Sequence, residues 1–202
     1  MRLATRDVEE VVARVFDVPA TDKLALRARL ENLRKKGWPH GLTTGRGRVA
    51  KFDFDQLSDL SVALALIDAG LSPEHAVLAL EDADQLVRDC FSALAHHTIS
   101  ADELSAAFEL GNWPMERTVI AWCFMHRLLS RQSDPGVPVA TWTITENKDG
   151  PRTTGINLSA VRVDLGSLFL RLVRAVSQVT QVEVDELTIT LRERMSKNLV
   201  SS

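Results

Sequence analysis

Apolar side chains recur at helical spacing through the first 36 residues. The first predicted helix begins at Thr5, a good N-cap residue, and ends near residues 17–20. Its apolar face consists of Val8, Val11, Val12, Val15 and Phe16. A second helix is predicted from Thr21, again an N-cap candidate, to about Lys36, and its apolar stripe is Leu26, Leu30 and Leu33. Two helices joined by a short turn are typical of a helix-turn-helix.

The pattern changes abruptly after the second helix. Gly37 suits the end of a helix and Pro39 cannot continue one. Short strand-compatible segments then flank the sequence Gly45-Arg46-Gly47, which predicts a small hairpin with a basic tip within residues 42–52. A hairpin beside a recognition helix is called a wing, and the first 52 residues therefore predict a winged helix-turn-helix.

Helical periodicity resumes at Asp55, the predicted N-cap of the third helix, and dominates the rest of the chain. Further helices are predicted at about 55–69, 72–94, 100–110 and 114–133, with later helices at 159–176 and 184–199. A β-hairpin is predicted near 138–158, from strands at 139–145 and 153–158. The predicted fold is therefore mainly α: a DNA-binding domain over residues 1–88 and a helical domain, with the hairpin, over residues 89–202.

Charge is distributed unevenly along the sequence. Residues 1–51 carry 12 Lys/Arg and 6 Asp/Glu, whereas residues 52–110 carry 1 basic and 12 acidic side chains. The basic excess is densest over residues 27–51, with eight cations and one anion, Glu31. A polyanionic partner for this end of the chain follows from the charge, although a solvated basic face is the simpler alternative.

The predicted helix pair and the basic segment coincide, which favours double-stranded DNA as that partner. Lys23, Arg27 and Arg34 are expected roughly opposite the apolar stripe of the second helix. They are the candidates for contacts in the major groove, because arginine binds guanine bidentately. Thr21 is a candidate for a phosphate contact as well as a helix cap. Phosphate contacts are also expected from the hairpin and from the lysines around it. These remaining candidates are Lys35, Lys36, Thr43, Thr44, Arg46, Arg48 and Lys51.

Residues 5–80 resemble the DNA-binding domain of MerR-type transcriptional regulators. The resemblance is carried by Gly37-Trp38, by the segment Phe52-Asp53-Phe54-Asp55-Gln56-Leu57 and by the junction Gly70-Leu71-Ser72-Pro73-Glu74. The spaced apolar residues between these segments are Leu60, Leu64 and Ile67. The resemblance implies a winged helix-turn-helix that controls transcription and a homodimer formed by the C-terminal half. Because no sustained heptad pattern follows Val87, we expect a dimer contact other than a coiled coil.

Other classes of function have little support in the sequence. The chain has no phosphate-binding loop, no Gly-x-Ser-x-Gly motif, no His-Glu-x-x-His motif and no tyrosine, so we expect no enzyme. The possible metal ligands lack a cysteine-pair motif, so we expect neither a metal nor a cofactor, and any effector is unknown. These ligands are Cys90, His96, His97, Cys123 and His126. The sequence has no apolar segment long enough to span a membrane, and its two cysteines are isolated from one another. We therefore expect a cytoplasmic protein.

Two alternatives remain open at this stage. The first is an architectural DNA-binding protein of mobile DNA, similar to an excisionase or to the small subunit of a terminase. The second is a protein-binding or ligand-sensing domain whose winged fold does not contact DNA. Strong bending of several phased sites would favour the first alternative, and an absence of salt-sensitive DNA binding would favour the second.

Overall fold

The computed structural model describes residues 1–42, 50–81, 83–96, 120–125, 140–145 and 160–200, and these form a mainly helical protein. The N-terminal part contains strand β1 (Leu3–Ala4), helix α1 (Thr5–Val15), a 3-10 turn (Ala20–Asp22), helix α2 (Lys23–Lys35), strand β2 (Lys51–Phe52) and helices α3 (Phe54–Asp68), α4 (Pro73–Glu81) and α5 (Asp84–His96). The C-terminal part contains strands β3 (Ile120–Met125), β4 (Ala140–Thr145) and β5 (Ala160–Asp164) and helices α6 (Leu165–Thr180) and α7 (Val184–Val200).

The predicted helix pair is confirmed as two helices, with small shifts at their ends. Helix α1 begins at Thr5, but its N-cap is Ala4, whose N–H donates to the Asp7 carboxylate at 3.1 Å. Helix α2 begins at Lys23 and not at Thr21, because Thr21 belongs to the 3-10 turn. Thr21 is therefore not the helix cap that the sequence suggested.

Strands β1 and β2 join the two ends of the N-terminal segment. They pair antiparallel, with Leu3 opposite Phe52, and both side chains are buried. Asp53 then caps α3 by accepting from the Gln56 N–H at 3.0 Å, whereas the sequence had placed this cap at Asp55. The Gln56 side chain also donates to the His40 carbonyl at 3.0 Å. The segment that follows α2 is thus fixed to α3 at its start and to β1 at its end.

The C-terminal part differs from the sequence prediction in two places. Residues 120–125, predicted as helix, form the central strand of an antiparallel sheet with the order β4-β3-β5. Cys123 lies opposite Trp142 of β4 and Val161 of β5. A continuous apolar run suits a strand that is paired on both sides. Over only six residues, however, the apolar pattern of such a strand is the same as that of a buried helix, so periodicity does not separate the two.

Strand β4 confirms the predicted strand at 139–145, but its partner is β3. The expected partner at 153–158 and the predicted helix at 100–110 lie outside the described residues. Strand β5 occupies residues predicted as the start of a helix. Its alternating Val161 and Val163 favour a strand, and helix α6 begins only after Asp164, which caps it by accepting from the Ser167 N–H at 2.9 Å.

Helix α6 completes the core of the N-terminal helices. Phe169 is 1% exposed and its ring meets those of Phe54 and Phe91 edge-to-face, with centroids 6.0 and 5.9 Å apart. Arg171 reaches the end of α1, where it donates to the Val15 carbonyl at 3.0 Å and pairs with Asp17 at 2.8 Å. Side chains from both predicted domains therefore belong to one hydrophobic cluster.

Asp59 is a buried carboxylic acid on α3. It is 1% exposed, and its nearest cation is Arg88 of α5, whose Nη2 lies 3.3 Å away and which also pairs with Asp84 at 2.9 Å. Burial raises the pKa of Asp59 to about 7, an effect that Arg88 opposes and that the charges of Asp84, Asp55 and Asp53 reinforce.

The raised pKa of Asp59 predicts a pH-dependent stability. In the folded protein the Asp59 carboxyl keeps its proton up to about pH 7, whereas in the unfolded chain it loses that proton near pH 4. The stability that this difference contributes is fully present below about pH 4 and is lost as the pH rises to about 7. We expect the free energy of unfolding to fall between about pH 5 and pH 8 by up to about 3 kcal/mol more in the wild type than in Asp59→Asn. Urea denaturation at the two pH values measures this difference. Asp68→Asn, an exposed control on the same helix, should behave as the wild type, and equal slopes for wild type and Asp59→Asn would contradict the prediction.

Candidate nucleic-acid interface

Helix α2 exposes most of its surface. Only Leu26, Leu30 and Leu33 are buried along its length. Because successive residues advance by about 100° around a helix, these leucines define one narrow inward stripe. The remaining surface divides into an outer strip and two flanks. The outer strip consists of Leu24, Ala28, Glu31 and Lys35, the first flank of Lys23, Arg27 and Arg34, and the second flank of Ala25, Arg29, Asn32 and Lys36.

The first flank faces α1, and two of its cations are paired with carboxylates there. The Arg27 guanidinium binds Glu9 bidentately, with N···O distances of 3.1 and 2.7 Å, and this pairing raises the pKa of Arg27. Lys23 pairs with Glu10 at 2.8 Å, and this hydrogen bond is the main reason that the pKa of Glu10 is lowered. Lys23 and Arg27 therefore lie beside α1 and not opposite the buried stripe, as the sequence had suggested.

The paired side chains line a polar groove of about 540 Å³ between α1, α2 and the end of α6. Arg14 completes the cluster, since it pairs with Glu10 at 3.1 Å and donates to Gln178 of α6 at 3.1 Å. All these ion pairs are partly exposed, and such pairs contribute little to stability because water screens them. Their main effect is to neutralise the cations that border α1.

The cations of the second flank, unlike those beside α1, have no carboxylate partner among the described residues. Arg29 and Lys36 are exposed, as is Lys35 on the outer strip, and no carboxylate of the described residues lies within ion-pair distance of any of them. Arg34 is half-buried and likewise has no such partner among those residues. Asn32, with an amide suited to bidentate hydrogen bonding, is exposed between them. The available positive charge of α2 is thus concentrated away from α1.

Arg29 and Asn32 were missed as candidate contacts by the sequence analysis. Glycine and proline mark the end of α2 clearly, but the positions of the cations alone do not show which side of the helix is exposed. Counting around the helix from Leu26 and Leu30 places Arg29 and Asn32 on the flank opposite that of Lys23 and Arg27, so the stripe itself separates the two sets of side chains.

The end of α2 is fixed by a buried tryptophan. Trp38 is 1% exposed, and its Nε1 donates to the Asp59 carbonyl of α3 at 3.2 Å. Gly37 and Gly41 on either side have φ angles of 81° and 76°, which glycine adopts without strain. The loop between them and the last turn of α2 border an open groove of about 470 Å³, which Arg34 and Lys35 line. The cations at the end of α2 therefore lie beside this loop, whose tryptophan is anchored to α3.

The predicted wing residues are only partly within the structure. Thr43, Thr44, Arg46 and Arg48 lie outside the described residues. Lys51 lies in β2 and is exposed, while its neighbour Phe52 is buried. Lys51 thus stands at the base of the segment that would form the wing.

The two cysteines have no features of a reactive site. Burial raises the pKa of Cys90 to about 11 and that of Cys123 to about 12, so both thiols are protonated at neutral pH. His97 and His126, and the side chain of His96, lie outside the described residues. Within the part of the chain that is described, no three potential ligands come together around a point where a metal ion would fit, and no helix has the length and apolar character needed to cross a membrane.

Comparisons of this chain with protein-family models, with curated proteins and with solved structures returned no match.

Proposed function

We propose that this protein is a sequence-specific, double-stranded DNA-binding transcriptional regulator that uses a winged helix-turn-helix. In this proposal α1 and α2 form the helix-turn-helix, α2 enters the major groove, and residues 43–49 form the wing against the backbone or the minor groove. The observation that carries the proposal is the exposed surface of α2, on which Arg29, Lys35 and Lys36 have no carboxylate partner among the described residues.

The geometry of the helix pair supports this assignment. A recognition helix needs one side anchored in the core and the other sides open to the groove. Helix α2 meets this need, because its three leucines pack inward while Trp38 fixes its end to α3. Arg29 suits a bidentate contact to guanine, and Asn32 suits a bidentate contact to adenine. Arginine and asparagine are among the side-chain types that distinguish base pairs in the major groove.

Electrostatics supports the same orientation. Glu9 and Glu10 neutralise the flank of α2 that borders α1, so attraction for phosphate is strongest on the second flank and at the end of the helix. The acidic excess of residues 52–110 repels phosphate, which favours contact with DNA through the basic residues of the first 51 positions.

A homodimer formed by the C-terminal half is part of the proposal. Dimeric helix-turn-helix proteins bind two half-sites about one helical turn apart, which doubles the contacts and makes the binding site palindromic. A palindrome in the bound DNA and a dimer in solution are the expected signs of this arrangement.

The test begins with selection of the tightest-binding duplex of about 20 base pairs from a random-sequence pool. Fluorescence anisotropy then compares this selected duplex with a scrambled duplex of the same composition over a salt series. We expect a preference of at least about 1,000-fold and an affinity that falls steeply with salt. Equal, weak binding to both duplexes would refute the proposal, and strong bending without sequence preference would indicate an architectural protein instead.

A further inference from the structure

Leu24 is an exposed apolar side chain in the middle of a charged surface. It is 79% exposed, more than any other large apolar side chain among the described residues. It lies in the first turn of α2, on the outer strip, and Ala28 follows it one turn later. Ala25, also exposed, adjoins them on the second flank. The N-terminal half of α2 therefore presents a small apolar surface directly outward.

Cations border this apolar surface on two sides. Arg29 on the second flank has no carboxylate partner among the described residues, whereas Lys23 and Arg27 on the first flank are paired with Glu10 and Glu9. The outer strip becomes polar at Glu31. The major groove of DNA has a matching arrangement: phosphates form its walls, and the C5-methyl groups of thymine are the apolar groups on its floor. An apolar strip beside the cation Arg29 is complementary to a thymine methyl group that lies beside a phosphate-lined wall of the groove.

The size of the surface argues against a protein partner. A stable protein–protein interface buries about 800 Å² on each side and contains a core of large apolar side chains. Here one leucine and two alanines are surrounded by charges, and the other exposed large apolar residues of the described part, Leu78, Leu86 and Ile189, belong to different helices. One or two methyl groups are an occupant of suitable size.

We infer that Leu24, supported by Ala28, contacts thymine methyl groups in the major groove and makes the protein prefer sites with thymine at the positions beneath the start of α2. This inference rests on the proposed function, since it assumes that α2 enters the groove. It adds an apolar component to the hydrogen bonds that Arg29 and Asn32 supply. The first helical turn is where a recognition helix contacts base edges, which agrees with the position of Leu24.

The test uses DNA in which the methyl groups alone are removed. The selected duplex is synthesised with thymine and again with deoxyuridine at every thymine position. We expect the wild type to bind the deoxyuridine duplex about fourfold more weakly for each methyl group contacted, which is the factor for burying one such group. Leu24→Ala should bind both duplexes equally within about twofold, because it has lost the side chain that detects the difference.

Ile189→Ala is the matched control, since it removes an exposed apolar side chain (55% exposed) from α7 and should retain the wild-type discrimination. Two results would overturn the inference while leaving the proposed function intact: equal binding of both duplexes by the wild type, or the same discrimination by wild type and Leu24→Ala. If the pool yields no duplex that binds, the proposed function and this inference both fail.

Discussion

Arg29→Ala is expected to weaken binding of the selected duplex by about 10- to 100-fold, whereas Arg27→Ala is expected to weaken it by less than about threefold. Both arginines lie on α2, within two positions of one another, but only Arg27 is engaged by a carboxylate of α1. Arg29 can bind a base edge or a phosphate without first breaking an ion pair. Arg27 must exchange Glu9 for the DNA, so its net contribution is smaller.

Anisotropy titrations of the two variants at several salt concentrations measure this difference. For each phosphate contact that a variant loses, the slope of log K against log salt should decrease by about 0.9. The Arg27 side chain is 56% exposed and Arg29 is also exposed, so neither variant should alter the fold. If Arg27→Ala loses as much affinity as Arg29→Ala, then Glu9 does not neutralise Arg27 and the flank beside α1 contacts the DNA.

Phe169→Ala is expected to lower the free energy of unfolding by about 3–5 kcal/mol. The Phe169 ring is buried between Phe54 of α3 and Phe91 of α5, so its removal leaves a cavity and ends both ring contacts. The loss should be felt in the N-terminal helices as well as in α6, since these side chains share one hydrophobic cluster.

Urea denaturation followed by circular dichroism measures the Phe169→Ala effect. Ile189→Ala provides the control and should change stability by no more than about 0.5 kcal/mol, because its side chain is mainly exposed. A change below about 1 kcal/mol in Phe169→Ala would show that α6 does not support the N-terminal helices, and that these helices are stable without it.

The N-terminal helices could be predicted from sequence because local signals agree there. The valines of α1 and the leucines of α2 recur at helical spacing, and Gly37 and Pro39 mark where α2 must stop. In the C-terminal part the local signals conflict. Residues 120–125 are apolar throughout, so their period does not distinguish a strand from a helix, and the pairing with β4 and β5 determines the outcome.

The candidate interface was predictable as a segment but not as a set of contacts. Basic residues within residues 23–36 identify α2 as the charged helix. Whether a given cation is free depends on the side chains that a neighbouring helix brings beside it. Glu9 lies 18 positions from Arg27, and only the packing of α1 against α2 brings their charged groups to 2.7 Å. Likewise, sequence alone does not show that α6 packs on α1, 150 residues away.

The contact between α6 and α1 also determines when this protein can acquire its shape during synthesis. Helix α6 begins at Leu165, so the ribosome must add about 150 residues after α1 before the first side chain of α6 exists. Until then the face of α1 that α6 covers has no partner, and the turn after Val15 lacks the hydrogen bond from Arg171. At about 5–20 residues per second, roughly 8–30 seconds pass between the synthesis of α1 and that of α6. The helix pair that we propose to bind DNA is therefore made early, but the support that α6 gives to it comes late.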